Sequence, residues 1–437
     1  MYKRQVITQV FVWSINLLKI AKKTFTIVVI LFFCEFITPA YAADVPKAFS
    51  FQGAGYGHGV GMSQIGARGQ ALEGESATSI LNYYYKDVVI APVKDNYLLR
   101  VNIGHQLNSV SISTQSKSGI LRLIPGESQG ADTSTDSRNF PAKVNLTFGI
   151  SGLNIISKAT YANGRVINLP VGQTWTIRWS GTRDLEGQDA VTSVSVNGVI
   201  TKYRYGQIQI KSVKTPTDGY RMEVTNTVRL HDEYLWGIGE MPSSWPAAAL
   251  EAQGIASRSY ALNKVGKYNT ACDCDIYAAT RDQSFIGYAK EIEPRYGQLW
   301  KGAVNATATD TENGIAILYN SNPIAAYFFS SSSGQTESGI DVWTRDVPFV
   351  ASVPDPWSLD PVLNPRFAHW QRTVDQNVIS LAFGLPNVAS LEIASRNPTG
   401  TVGVILATSA EGQVRQLSGE AFRSKCKIPS AWFDFLN

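Results

Sequence analysis

Histidine, cysteine and methionine are scarce in this 437-residue chain, with four of each. His105, His231 and His369 stand far apart and form no recognisable ligand motif, which argues against metal-dependent hydrolysis. So few cysteines make no disulfide scaffold, and none is needed: 44% of the residues are hydrophobic, enough to bury proper cores. After Cys34 nothing approaches the roughly 20 apolar residues that a membrane span requires. An excess of one charge is also missing from most of the chain. Five of the 39 Lys/Arg and one of the 35 Asp/Glu fall within residues 1–42, leaving 34 of each sign beyond them. Without a basic footprint no nucleic-acid partner is expected. Glycans remain open as ligands, and 10 Trp and 19 Tyr suit stacking on sugar rings, although most aromatics in any protein are core.

What the first stretch does contain is ordered: Lys3, Arg4, Lys19, Lys22 and Lys23, then an uncharged apolar run from Thr24 to Cys34, then Ala40-Tyr41-Ala42. This reads as a secretory signal cleaved before Ala43, since the apolar run is too short for a retained anchor. Phe33 before Cys34 is too large for a lipoprotein processing site. The expected location is therefore exported, in the periplasm or the cell wall and extracellular space, with no stable membrane span after cleavage. Cys272, Cys274 and Cys426 remain. Either Cys426 bridges to one of the pair, or Cys272 and Cys274 close a small ring. Cys272-Asp273-Cys274 is tighter than a zinc knuckle and has no nearby His, so no metal and no cofactor are expected.

Glycines at 53, 55, 57, 59 and 61 open the segment from Phe51 to Ile90 and allow tight turns and close backbone approach. The run lacks a Gly-Lys-Ser/Thr ending and no βαβ unit follows, so it is not nucleotide-binding. Ser76 is a plausible cap for a helix over Ala77 to Tyr85. From Tyr97 to Arg229 short β-type runs alternate with Gly, Asn, Ser and Asp, as in antiparallel sheet, with an exposed loop over Gly126 to Arg138. A helix is predicted from Pro246 to about Lys264, capped by Ser244, with another near Leu299 to Thr309 and strands near Ile315 to Tyr319 and Ile324 to Phe329. The class is α+β: a mixed core of helices and antiparallel strands with a β-rich inserted module.

Three blocks carry the chemistry. They are Gly55-Tyr56-Gly57-His58-Gly59-Val60-Gly61-Met62-Ser63-Gln64, Tyr234-Leu235-Trp236-Gly237-Ile238-Gly239-Glu240-Met241-Pro242, and Ser330-Ser331-Ser332-Ser333-Gly334-Gln335-Thr336-Glu337. Together with Ala256-Ser257-Arg258-Ser259-Tyr260 and Leu417-Ser418-Gly419-Glu420-Ala421-Phe422-Arg423, they resemble the family of stage II sporulation protein D and the amidase enhancer. The resemblance spans most of the chain and is weakest over Gln106 to Ala190, which looks like an insertion. It divides the chain into the signal (1–42), a glycine-rich segment packing on the core (43–96), a β-rich region with the insertion (97–228) and a catalytic core (229–437). Two departures stand out. The glycine block comes first, where sporulation members tend to have it last, and only Cys-Asp-Cys stands where those members often place His with Cys.

A Glu just before a helix commonly complements the helix dipole. A catalytic acid there needs apolar cover, which Trp236, Met241 and Trp245 are placed to give. The resemblance implies the second role for Glu240. An ordinary glycosidase needs two flanking carboxylates, and only Asp232 and Glu233 are upstream candidates. A lytic transglycosylase needs one, and this is the reaction the resemblance implies: cleavage of the MurNAc-GlcNAc bond of peptide-free peptidoglycan strands, leaving anhydro-muramic ends. Arg258 is carried over as a cleft residue that binds a sugar carboxylate or steadies Glu240. Ser331, Ser332, Ser333, Gln335 and Thr336 offer small hydrogen-bonding groups, Gln283 is a weaker binding candidate, and His58 either shapes the cleft floor or is fixed by turn hydrogen bonds. The alternative is a non-catalytic wall protein that binds glycan and stimulates a partner N-acetylmuramoyl-L-alanine amidase.

Overall fold

The computed structural model describes residues 44–114, 118–130 and 134–436, so the signal read over residues 1–42 lies outside the described residues. The architecture is α+β. Among the described residues, one sheet runs in the order Ile276–Tyr277, Leu98–Leu107, Tyr220–Arg229, Gln207–Lys214, Thr174–Trp179, Ile120–Pro125 and Arg138–Pro141, antiparallel except where Ile276–Tyr277 joins Leu98–Leu107. A second antiparallel sheet orders Val166–Asn168, Asn154–Thr160, Asn145–Ser151, Ser109–Thr114, Thr192–Val196 and Val199–Tyr203. In Ser109–Thr114 the buried side chains are Val110, Ile112 and Thr114, the period of two that a half-covered strand dictates. Residues of both sheets, such as Ile112, Phe148, Leu121 and Ile208, enter one apolar core. Within the stretch 106–190, strands Ser109–Thr114 and Thr174–Trp179 pair with Thr192–Val196 and Gln207–Lys214 beyond it.

Helices pack on the same core: α1 (Gln64–Leu72), α2 (Ala77–Tyr84), α3 (Ala247–Lys264) and α4 (Gly297–Ala306). Ser76 caps α2 as its sequence predicts, accepting a hydrogen bond from Ser79 N at 3.1 Å. At α3 the expected Ser244 cap is not made: Pro246 is the capping residue, with no side-chain hydrogen bond. From Ala249 to Ala261 nearly all of α3 is buried, including Gln253, Ser257, Arg258 and Ser259. Small Ala, Gly and Ser residues let neighbours close on it from every side, and each buried polar group then needs a partner.

Arg258 shows the consequence. Its Nε donates to Asp95 Oδ2 at 2.7 Å, and its Nη1 donates to Thr307 Oγ1 at 2.8 Å and to the Ile315 carbonyl at 3.0 Å. Asp95 also faces His231 Nδ1 at 2.6 Å, and both Asp95 and Arg258 are fully buried.

Residues from Trp370 onward form a second apolar cluster together with the start of the described chain. Strand Ala48–Gly53 lies between Trp370–Asp375 and Phe433–Phe435, and Phe51 meets Phe422 and Phe433 edge-on at 5.5 Å each. Of the cysteine alternatives, the small ring is the one present: Cys272 and Cys274 are joined, with Cα atoms 5.2 Å apart, while Cys426 is free and buried. The bond removes both sulfurs as zinc ligands. No helix of the described residues is long and apolar enough to cross a membrane.

Removing one partner of a buried pair leaves the other charge uncompensated. Asp95→Asn and Arg258→Met are each expected to lower stability in urea unfolding by about 3–5 kcal/mol, and the double variant to lose less than the two single losses added.

Candidate functional site: a groove around Glu240

Glu240 is held by a short antiparallel clamp. Gly239 N donates to Ser284 O at 2.8 Å, Ile286 N to Gly237 O at 2.8 Å, and Ile238 bridges Phe285. A Cβ on Gly237 would fall 2.4 Å from the Phe285 ring, so only glycine permits this approach. Phe285 stacks on Tyr234 at 5.3 Å, and the Tyr234 hydroxyl donates to Gln283 Oε1 at 2.8 Å. The carboxylate of Glu240 accepts a short hydrogen bond from Ser284 N. On the other side Gln64 Nε2 donates to the Glu240 carbonyl at 3.2 Å and to Gln253 Oε1 at 3.1 Å, tying α1 and α3 to the Glu240 backbone.

Around it opens a groove of about 910 Å³, toward the upper end of the roughly 300–1,000 Å³ usual for ligand pockets. Tyr56, His58, Tyr260, Tyr327, Phe328 and Trp343 line it. Burial pushes the Glu240 carboxyl above the ordinary value of 4.5, against the Ser284 hydrogen bond, which lowers it. The apolar lining includes Ala326, Tyr327 and Phe328. Trp236 and Trp245 do not line the groove: Lys301 sits 3.7 Å over the Trp236 ring and Arg68 lies over Trp245. Asp232 and Glu233 are not groove carboxylates either, being buried against Arg229 and Arg183. The other carboxylate in the lining, Asp282, is occupied by the Tyr260 hydroxyl at 2.7 Å, Lys264 at 2.7 Å and Tyr277 N at 2.9 Å.

His58 lies in the same groove. Its Nδ1 accepts from Val60 N at 3.0 Å, its ring approaches Trp343 at 5.1 Å, and a hydrogen bond links it to the Phe328 backbone. Burial, with help from Arg423, lowers it to about 4, so it is a neutral, fixed wall residue at ordinary pH. Ser331, Ser332, Ser333 and Gln335 instead line a small adjoining cavity of about 30 Å³ that also touches His58 and Glu337. Ser332 Oγ donates to Asp355 at 2.7 Å, Gln335 Nε2 to Ser352 Oγ at 2.8 Å, and buried Thr336 Oγ1 accepts from Val353 N at 2.9 Å. Gln283 is fully buried behind the clamp. Arg258 is spent on Asp95 in the core and does not line the groove. Glu240 and His58 are thus brought together, while the other residues proposed from sequence stand behind or beside them. Sequence reasoning missed Arg281, Arg372 and Lys427, which line the groove from distant segments and belong to no local motif.

Residues 218–311 match the model of the Stage II sporulation protein family. The segment includes Glu240, the Ser284 clamp and all of α3. Over 224 residues the chain is 27% identical to stage II sporulation protein D of Bacillus amyloliquefaciens, covering 47% of this chain and 59% of that protein. It is 31% identical to stage II sporulation protein D of Bacillus subtilis (strain 168) over 133 residues, covering 29% and 38% of the two chains. It is 32% identical to the amidase enhancer of the same organism over 116 residues, or 26% of this chain and 14% of that one. The chain thus spans less than two thirds of the length of these relatives.

Glu337 and His58 should titrate in opposite senses. His58, at about 4 against an ordinary 6.5, contributes stability above pH 6.5 that is lost as pH falls through 4. Glu337, buried beside Thr399, is pushed up to about 7 from 4.5, so its contribution is full below pH 4.5 and lost as pH rises through 7. Glu337→Gln is uncharged throughout. Between about pH 4 and about pH 8 it is expected to gain about 3 kcal/mol relative to the parent in urea unfolding. Curves that stay parallel would refute the raised carboxyl.

Proposed function

We propose that this protein is an exported cell-wall enzyme, a lytic transglycosylase acting on peptide-free peptidoglycan strands, with Glu240 as its acid and then its base. The observation that carries this reading is a single available carboxyl group in a long groove. Burial holds the Glu240 proton toward neutral pH, while Asp282 is committed to three donors. A water-using glycosidase needs a second free carboxylate; an intramolecular attack does not.

The steps balance with one side chain. The Glu240 proton passes to the glycosidic oxygen as the bond to muramic C1 breaks, releasing the GlcNAc 4-hydroxyl. The Glu240 carboxylate then takes the proton of the muramic 6-hydroxyl as that oxygen bonds to C1. The 1,6-anhydro ring closes, Glu240 is protonated again, and no water is consumed. Tyr56, Tyr327 and Trp343 supply faces for sugar rings. Ser284 N stabilises the carboxylate form between the two transfers, and the Gln64 bond fixes the backbone from which Glu240 reaches.

The similarity to the amidase enhancer favours a second reading, in which the groove binds glycan and the protein stimulates an amidase without cutting. One experiment separates them. Incubated with peptide-free strands, the parent is expected to yield anhydro-muramic ends by mass spectrometry, and Glu240→Gln to yield about 10²–10⁴-fold fewer while still binding glycan. Because the acid must start protonated, parent activity should fall as pH rises through the raised Glu240 value. Absence of products from both proteins, with binding intact, would favour the amidase reading.

A further inference from the structure

Charge is distributed unevenly around the groove. Its lining contains the cations Arg281, Arg372, Arg423 and Lys427 and the carboxyl groups of Glu240 and Asp282. Arg423 is held by Glu420 through two bonds of 2.7 and 2.6 Å, and Asp282 by Lys264, so these two cancel against their own partners. Glu240 is biased toward its neutral form by burial. Arg281, Arg372 and Lys427 are left, all exposed and, among the described residues, none with an acidic group in ion-pair range. Beyond residue 42 the chain has 34 groups of each sign, so this surplus is local to the groove.

Each of the three is presented by its own element. Arg281 lies 4.4 Å over the Tyr277 ring, which supports the guanidinium plane and leaves its N–H groups free. Arg372 stands on strand Trp370–Asp375, where Nη1 donates to the Gln371 carbonyl at 2.7 Å and the remaining donors are open. Lys427 follows helix Gly419–Cys426 at φ +55°, a left-handed position usually given to Gly or Asn.

We propose that Arg281, Arg372 and Lys427 form a carboxylate-reading wall that binds the free lactyl groups of muramic acid along the glycan. This rests on the glycan reading above. In a peptide-free strand each muramic residue ends in a carboxylate; with a stem peptide attached the same carbon is a neutral amide, and GlcNAc is uncharged throughout. Charge at the lactyl carbon is therefore one feature that distinguishes a stripped strand from a substituted one, and three unpaired cations respond to that difference. Two of them lie in the unit formed by residues 370–436, outside the family segment at 218–311, so that unit contributes selectivity rather than acid chemistry.

The test measures binding without turnover, using Glu240→Gln protein and two probes: peptide-free glycan, and the same glycan with its carboxyls converted to methylamides. The unmodified glycan is expected to bind about tenfold more tightly, with the advantage shrinking at high salt. Adding Arg372→Gln and Lys427→Gln, both at exposed positions, should remove most of that advantage and leave methylamide binding unchanged. Equal affinity for the two glycans overturns the proposal, and so does a charge variant that weakens both alike or binding of neither probe. Cleavage by the parent is scored separately: carboxylate-dependent binding without anhydro-muramic ends would sustain the wall and reject the transglycosylase.

Discussion

Everything in this molecule converges on the close approach of residues 54–63 to two distant parts of the chain. Gly55, Gly57, Gly59 and Gly61 all take positive φ, between 84° and 115°. On one side Tyr56 pairs with Ser331, Glu337 N donates to Gly59 O at 2.8 Å, and Met62 N donates to Tyr327 O at 3.0 Å. On the other, Gly55 N reaches Phe367 O and Gly57 N reaches Pro429 O, at 2.7 and 3.0 Å. A Cβ at Gly61 would lie 2.0 Å from the Tyr327 carbonyl, and one at Gly59 2.6 Å from Glu337 Cγ. The segment ends at Ser63, which caps α1 so that Gln64 meets Glu240. Without those glycines the serine block, the unit beyond residue 370 and the clamp on Glu240 would lack their shared seam.

How much of this was legible follows from the range of each interaction. The three blocks carry local marks, namely alternating glycines, a Glu before a Pro-rich turn and a serine run. The α2 cap was readable because Ser76 and Ser79 are three residues apart. The extent of α3 was readable too, but the environment of its side chains was not. A helix of Ala, Gly and Ser buried on all sides shows no polar face, so nothing nearby signals that Arg258 points at Asp95, 163 positions earlier. The sheet pairings that absorb the stretch 106–190 are similarly long-range, since alternation identifies a strand but not its partner. Arg281, Arg372 and Lys427 follow the same logic, lying in different segments that only the fold brings to one groove.

Burial does different work on the two glutamates near this seam. Glu240 keeps part of its surface in the groove and has one strong donor, so its proton is retained yet within reach of a ligand. Glu337 is enclosed, with Thr399 Oγ1 donating to Oε1 at 2.6 Å and Oε2 unpartnered among the described residues, and it is raised further, to about 7. A carboxyl that is both enclosed and incompletely bonded is held by its neighbours at a cost above its folded pKa, whereas one at a groove wall can exchange its proton.

On the reading proposed for Glu240, that contrast bears on how one side chain would serve both proton transfers. A group that first donates and then accepts must have its two forms close in free energy at working pH; otherwise one transfer becomes the slow step. Desolvation favours the acid form of Glu240, and the Ser284 hydrogen bond favours the carboxylate. Here the two act on the same carboxyl in opposite directions, with burial the larger. The clamp that supplies Ser284 N is the pairing that fixes Gly239 and Ile238, so the local fold that positions the Glu240 carboxyl also lowers its proton affinity. Loosening that pairing would change the position and the proton affinity of Glu240 together, so under the proposed reaction the 237–240 and 284–286 pairing would enter the chemistry as well as support it.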